Sequence, residues 1–438
     1  MAQSSLIPKG EPCSSCGRIQ PFSAGEKAGL PRKEVFNDKA RTTIKSTIET
    51  LSSELTEISH YIHSNPELAY KEVRAHAKLM KYLEDKGFTV QSYQSLSTAF
   101  RVEYQHGEGG RTFGFNSEYD ALPDIGHACG HNLIAVAGLA AFLGLKEAMI
   151  KHNIPGKVVL IGTPAEESGG GKIDLINLGA YKDLDACMMV HPFKGPSKTG
   201  HVGPSLALQS IKVEYYGKSA HAGVAPWEGI NALDAATLAY TSVGVMRQQF
   251  KPEVRVHGVI THGGGTAPNV IPQYTQMNWN IRAPTSKELD IVRDKMMNCF
   301  EGAAKQTGCK IIVTQDHQLQ DLRNDKLLTD EYASTMSESF GINVTSGYDN
   351  ASNIGGSTDF GIVTYVCPSS HPMYGIPTIP GGLNHTAEFT AVAKGEEAHE
   401  ETWKAAIGIA SVGMRFLGDN KFAEEVTKWW KDDMAKSS

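Results

Sequence analysis

The chain has 438 residues, more than one hydrophobic core usually serves, so two domains are the expectation. Apolar residues make up 40% and charged ones 21%, the balance of an ordinary globular protein, and we read no run in the sequence as a membrane span. A formal net charge of −6 argues against a nucleic-acid binder, which needs a basic face to neutralise phosphates.

Residues 1–40 mix Ser, Pro, Gly and Lys without periodicity and lack the apolar stretch of a secretory signal, so a loosely ordered tail on a cytoplasmic protein is expected. The seven cysteines are scattered and odd in number, which points to reduced thiols rather than a disulfide framework. Cys13 and Cys16 form a lone C-x-x-C; with no second pair nearby, an exposed tail pair is preferred to a zinc or redox motif.

Beyond the tail, Ile44, Ile48, Leu51, Leu55 and Ile58 recur every three or four residues and predict an amphipathic helix that stops before Pro66. A second helix ends at Gly87. Strand-like runs follow at 99–104 and 111–116, then a long apolar helix over 132–151. The β-branched run 157–163 reads as a strand buried on both faces, as does 186–190, with a helical segment over 172–178 between them. Strands alternating with helices predict an α/β domain: a mostly parallel sheet with helices on both faces. From residue 207 the order becomes strand 208–216, helix 229–249, strands 255–261 and 275–281, helix 286–306 and strand 310–315. That βαββαβ succession predicts an inserted ferredoxin-like domain. The expected division is a first catalytic segment 41–206, an insertion 207–322 that serves as dimerisation or lid domain, and a second catalytic segment 323–430, which includes a helix over 395–416.

Three polar clusters fall just past predicted parallel strands, where open α/β sheets place their sites. They are the segment from Gly126 through His127, Cys129 and His131 to Asn132; Glu166-Glu167; and His191. Together they offer thiolate, imidazole and carboxylate, the donors that zinc and its neighbours accept. Taken singly, a buried Cys or His is commonly mere packing, and adjacent glutamates are commonly a solvated face. The spacing C-G-H, with a glycine that lets both side chains converge, and a glutamate pair at a strand exit before Ser168-Gly169-Gly170-Gly171 make the metal reading the sharper one. Of two such carboxylates, one can bind metal while the other takes a proton. Gly263-Gly264-Gly265 looks like a phosphate loop but lacks the Lys-Ser/Thr that follows one, so a hairpin connection is preferred.

The segments S-E-Y-D-A-L-P-D-I-G-H-A-C-G-H-N (117–132), G-T-P-A-E-E-S-G-G-G-K (162–172), S-A-H-A (219–222), A-P-N-V-I-P (267–272), I-R-A-P (281–284), G-S-T-D-F-G (356–361) and H-S-N-P-E-L (63–68) resemble those of the aminoacylase and glutamate-carboxypeptidase family of co-catalytic metallohydrolases. The likeness runs in order from about residue 43 to 416. It is strongest to the amidohydrolase branch that holds p-aminobenzoyl-glutamate hydrolase and the β-alanyl-lysine and Xaa-Arg dipeptidases. It implies two divalent metal ions, zinc by default with manganese or cobalt as alternatives, held by Cys129, His131, Glu167, His191 and His385, with the Cys129 thiolate as bridge. Glu118-Tyr119-Asp120 stands where the wider family has H-x-D, which makes Asp120 a support for a ligand rather than a ligand.

The resemblance further implies Glu166 as general base, His221 as an oxyanion-stabilising residue that reaches the partner subunit of a homodimer, and Asn269, Arg282, Gly356 and Ser357 as substrate-binding positions. Arg282 would grip a free carboxylate. Blander readings stand beside these: His221 as the cap of the following helix, Arg282 as a surface residue at a strand end, and 355–359 as a tight turn. The expected activity is hydrolysis of an amide bond next to a free carboxylate, on a small peptide or an N-acyl amino acid. The alternatives are an N-acyl-amino-acid or metabolite amide hydrolase and, less favoured because no ligand or base is missing, a silent metal-binding homologue. A nucleophilic Ser or Cys hydrolase is weaker still, since Cys129 has no separate orienting pair.

Overall fold

The computed structural model describes residues 34–346 and 356–436, so Cys13, Cys16, most of the expected tail and Gly355 lie outside the described residues. Helix α1 (Glu34–Ser64) buries Ile44, Ile48, Leu55, Ile58 and Ile62, and α2 (Val73–Asp85) buries Ala75, Leu79 and Leu83, one side chain per turn on a single stripe. Next come β1 (Val90–Tyr93), β2 (Leu96–His106), β3 (Arg111–Glu118), α3 (His131–His152), β4 (Gly156–Thr163), α4 (Gly171–Asn177), β5 (Ala186–Met188), β6 (His191–Lys194) and β7 (Thr199–Val202). The insertion holds β8 (Ala207–Tyr216), α5 (Ala232–Met246), β9 (Arg255–His262), β10 (Tyr274–Ala283), α6 (Ser286–Thr307) and β11 (Lys310–Gln315). The chain then runs through α7 (Lys326–Phe340), β12 (Asn343–Ser346), α8 (Phe360–Thr364), β13 (Ser369–Ser370), β14 (Met373–Ile376), α9 (Ala387–Val392), α10 (Glu396–Gly418) and α11 (Asn420–Ala435).

The main sheet has the order β1-β2-β4-β3-β5-β13. Its β4-β3-β5-β13 half is parallel, while β1 and β2 form an antiparallel hairpin at one edge. Alternation along β4 explains its unbroken apolar sequence. Val158 and Leu160 join the core under α3 and α10, whereas Val159 and Ile161 join a second core with Leu175 of α4 and Val363 of α8. The sheet is thus covered on both faces, as the pattern predicts.

One expectation needs correcting. The α3 segment is, by length and composition, apolar enough to cross a bilayer, although we read no span in the sequence. In the fold 83% of its most apolar window is buried inside protein, because it lies between the sheet and α10 and meets apolar neighbours all round.

The insertion forms its own four-stranded antiparallel sheet, order β11-β8-β10-β9, backed by α5 and α6 around a separate core that includes Ile211, Val213, Trp279, Ile281 and Phe300. This is the expected ferredoxin-like arrangement. Gly263–Gly265 belongs to the long connection between β9 and β10, which pair as a hairpin. Sequence reading missed a third sheet, β12-β7-β14-β6, as well as α7 and α11.

Candidate metal centre

The C-terminal ends of β3, β4 and β5 lie along one edge of the parallel half-sheet, so Glu118 to Asp120, Glu166-Glu167 and His191 emerge side by side. Cys129 and His131 reach the same place because Gly130 takes a left-handed conformation, φ 80°, at the start of α3. A Cβ on Gly130 would lie 2.6 Å from Pro192 Cγ, so no other residue fits without displacing the chain that carries His191. His385, also left-handed at φ 67°, is tied to the same loop by its N–H, which donates to Ala128 O at 2.8 Å.

All five sequence-predicted ligands converge. Cys129, His131 and His191 each offer a donor atom within 4.8 Å of the others, and so do Cys129, Glu167 and His385. Cys129 Sγ lies 3.4 Å from His191 Nε2, and His385 Nε2 lies 3.5 Å from Glu167 Oε2. His131 Nε2 stands 3.8 Å from both Glu166 Oε2 and Glu167 Oε1. The orientation of these groups fits a metal pair. His131 Nδ1 donates to Asp120 Oδ1 at 2.9 Å, which turns Nε2 inward; that atom and Glu167 Oε1 are buried without a hydrogen-bond partner among the described residues. Cys129 belongs to two such three-residue groups, as do His131, Glu166 and Glu167, so the donor sets overlap rather than standing apart.

Protonation is set by burial. Without a cation, burial pushes the Cys129 thiol up to about 12 and raises the Glu166 carboxyl well above its usual range, with the charges of Glu118 and Glu167 adding to the latter effect. Burial lowers His191 to about 4. Divalent ions held by these residues would oppose the first two shifts, and His191, already held neutral, would be ready as a donor.

Of the expected substrate-binding positions, the structure brings Arg282 and Ser357 into contact. Arg282, on β10, donates from Nη1 to Ser357 Oγ at 3.0 Å, so it is half-buried at the junction of the insertion with the segment after β12, not a free surface residue. Gly356 O accepts from Leu206 N at 3.0 Å. His221 and Asn269 lie within the insertion: His221 is bridged to Val270, and Asn269 O accepts from Ala222 N at 2.9 Å. His221 does not cap the following helix, because Asn231 Oδ1 accepts from Leu233 N and Asp234 N at the start of α5. None of the described contacts joins His221 or Asn269 to the ligand cluster of the same chain.

Sequence reading overlooked four buried groups beside the centre. Glu118, Lys172 and Asp359 are fully buried together, and His371, just past β13, packs its ring 5.7 Å from that of His191. Position at a strand end was the available signal for Glu118 and His371. Lys172 closes a glycine run and opens the expected helical segment 172–178, where a lysine carries no mark of burial.

Residues 114–405 match the sequence description of peptidase family M20/M25/M40. The chain belongs to that family. The M20 chain is therefore a hydrolase of the metallopeptidase type. It is 42% identical over 410 residues to the Xaa-Arg dipeptidase of Mus musculus, covering 91% of this chain and 93% of that protein. The Homo sapiens Xaa-Arg dipeptidase is 38% identical over 431 residues, covering 95% and 96%. A solved Bacillus subtilis protein described as a dinuclear metal-binding peptidase of the M20 family shares the fold, with a TM-score of 0.61 at 20% identity over 84% of this chain and 99% of that one.

Proposed function

We propose that this M20 chain is a two-metal dipeptidase that cleaves the amide bond next to a free carboxylate. The observation that carries the reading is the convergence of Cys129, His131, Glu167, His191 and His385 on one point, with Glu166 at its rim and, among the described residues, no ion pair from Glu166 to a lysine or arginine. When bound, two divalent ions, zinc before manganese or cobalt, polarise the scissile carbonyl and acidify a water molecule. Glu166 takes the proton of the attacking water as the carbon–oxygen bond forms, and returns it to the leaving amine nitrogen as the carbon–nitrogen bond breaks. Arg282 grips the substrate carboxylate, with Asn269, Gly356 and Ser357 forming the wall around it.

His221 acts on the oxyanion in the partner subunit of a homodimer. In support, β9 is an edge strand with Val259 and Ile260 exposed, and on the neighbouring α5 Val245 is 75% exposed, an apolar face suited to a second copy. The five described cysteines are free thiols, in keeping with a cytoplasmic setting. Likeness to the Xaa-Arg dipeptidases makes dipeptides with a basic C-terminal residue the first substrates to try.

Purified protein reconstituted with zinc, manganese or cobalt and assayed against dipeptides and N-acyl amino acids tests this directly. We expect dipeptide hydrolysis with two equivalents of metal bound, and a Glu166→Gln variant that keeps both ions but loses roughly 10²–10⁴-fold in kcat. Wild-type turnover by Glu166→Gln, or protein that binds no divalent ion, would overturn the proposal.

A further inference from the structure

Beside the ligand cluster lies a second set of acids. Glu118, Glu166 and Asp359 each place an oxygen within 4.8 Å of the others, and Glu118 Oε2 also stands 3.7 Å from His131 Nε2. Three carboxylates abutting a metal centre, those of Glu118 and Asp359 wholly buried, are a set of hard oxygen donors, the kind that takes up magnesium, manganese or calcium. Here the space holds Lys172. Its Nζ lies 2.6 Å from Glu118 Oε1 and 2.5 Å from Asp359 Oδ1, and its backbone N–H donates to Asp359 Oδ2 at 3.0 Å. All three residues are wholly buried. An ammonium so far from water persists only when its charge is fully paired, and two close carboxylates do that. Glu166, the third acid, forms no ion pair with Lys172 among the described residues.

We infer that Lys172 is a resident cation: its ammonium fills the acid cluster that a further metal ion would otherwise occupy, limits the centre to two ions, and keeps Glu166 out of coordination and free to move a proton. The inference rests on the two-metal reading above. It makes Lys172 a positioning residue, since it acts through Glu118 and Asp359 and touches no substrate. Loss of the lysine would leave three carboxylates facing one another with no counter-charge, an arrangement relieved by capture of a divalent ion in which Glu166 becomes a ligand.

The test is metal stoichiometry together with kinetics. Wild-type protein titrated with manganese in tenfold excess, then freed of loose ions, should hold two equivalents; a tightly bound third would overturn the inference without any variant. Lys172→Met should hold a third equivalent and lose roughly 100-fold in kcat with a much smaller change in KM. The double variant Lys172→Met/Asp359→Asn, which removes an anion along with the cation, should return to two equivalents. A folded Lys172→Met with two equivalents and wild-type kcat would sink the inference and leave the two-metal reading standing. Wild-type protein with no bound metal would sink that reading itself.

Discussion

Asp120 and His131 are 2.9 Å apart, Oδ1 to Nδ1, and the other oxygen of the same carboxylate accepts the backbone N–H of Glu167 at 2.9 Å. One buried acid therefore orients an imidazole from α3 and the segment after β4 that carries Glu166, the proposed base, and Glu167, a proposed ligand. Asp120→Ala should weaken metal binding by roughly 10–100-fold, the usual cost of losing such a support. Competition with a chromophoric chelator measures it, and unchanged affinity would remove Asp120 from the centre.

Arg282 meets Ser357 across the junction between the insertion and the catalytic segment. A lysine there keeps the charge but loses the planar fork. Arg282→Lys should raise KM for substrates with a free carboxylate by roughly 10-fold or more, and that of amidated analogues far less. Equal effects on the two would show that the arginine does not read the carboxylate.

Asn132 follows His131, a proposed ligand, yet its side chain turns toward α1: Nδ2 donates to Ser59 Oγ at 2.9 Å and to Ala393 O at 2.8 Å. Aspartate has no donor for either partner and would set a buried charge against a carbonyl. Asn132→Asp should cost roughly 1–3 kcal/mol of stability, seen as a lower melting temperature, with metal content per folded molecule unchanged. Loss of bound metal at full stability would instead assign Asn132 to the centre.

Ser59 Oγ also meets His399 Nε2 at 2.9 Å, while His399 Nδ1 donates to Gly395 O at 2.8 Å. Burial lowers this histidine from 6.5 to about 4. Between those values the unfolded chain binds a proton that the folded one refuses, so stability is full above pH 6.5 and falls as the pH drops toward 4. The contribution is on the order of 3 kcal/mol. Metal-depleted protein should melt progressively lower from pH 6.5 to 4.5, and His399→Gln should flatten that slope; an identical slope would place the effect elsewhere.

Much of this was legible in the sequence. The β-branched run 157–163 reads as a strand covered on both faces and 310–315 as a strand, since both signals are local. Cys129, His131, Glu167 and His191 could be picked out because they follow strands that have no other use for a polar residue. His385 had no such marker: it lies on a turn before α9 and came from motif resemblance alone. The sheet β12-β7-β14-β6 stayed hidden because its strands have four residues each and pair with partners far along the chain, as Asn343 does with Thr199 and Met373 with His191, information no short window contains. The Glu118–Lys172–Asp359 cluster escaped for the same reason. Each residue alone reads as surface charge, and only three-dimensional pairing makes its burial tolerable.

The placement of α3 has a consequence for synthesis. This helix is oily on every side, and the partner that shields much of it, α10, is translated only after everything between His152 and Glu396. For that interval a nascent chain carries a greasy rod with its α10-facing side uncovered, an invitation to chaperones or to clumping. Polypeptides that end after β14 but short of α10 should precipitate even though every strand has already been made.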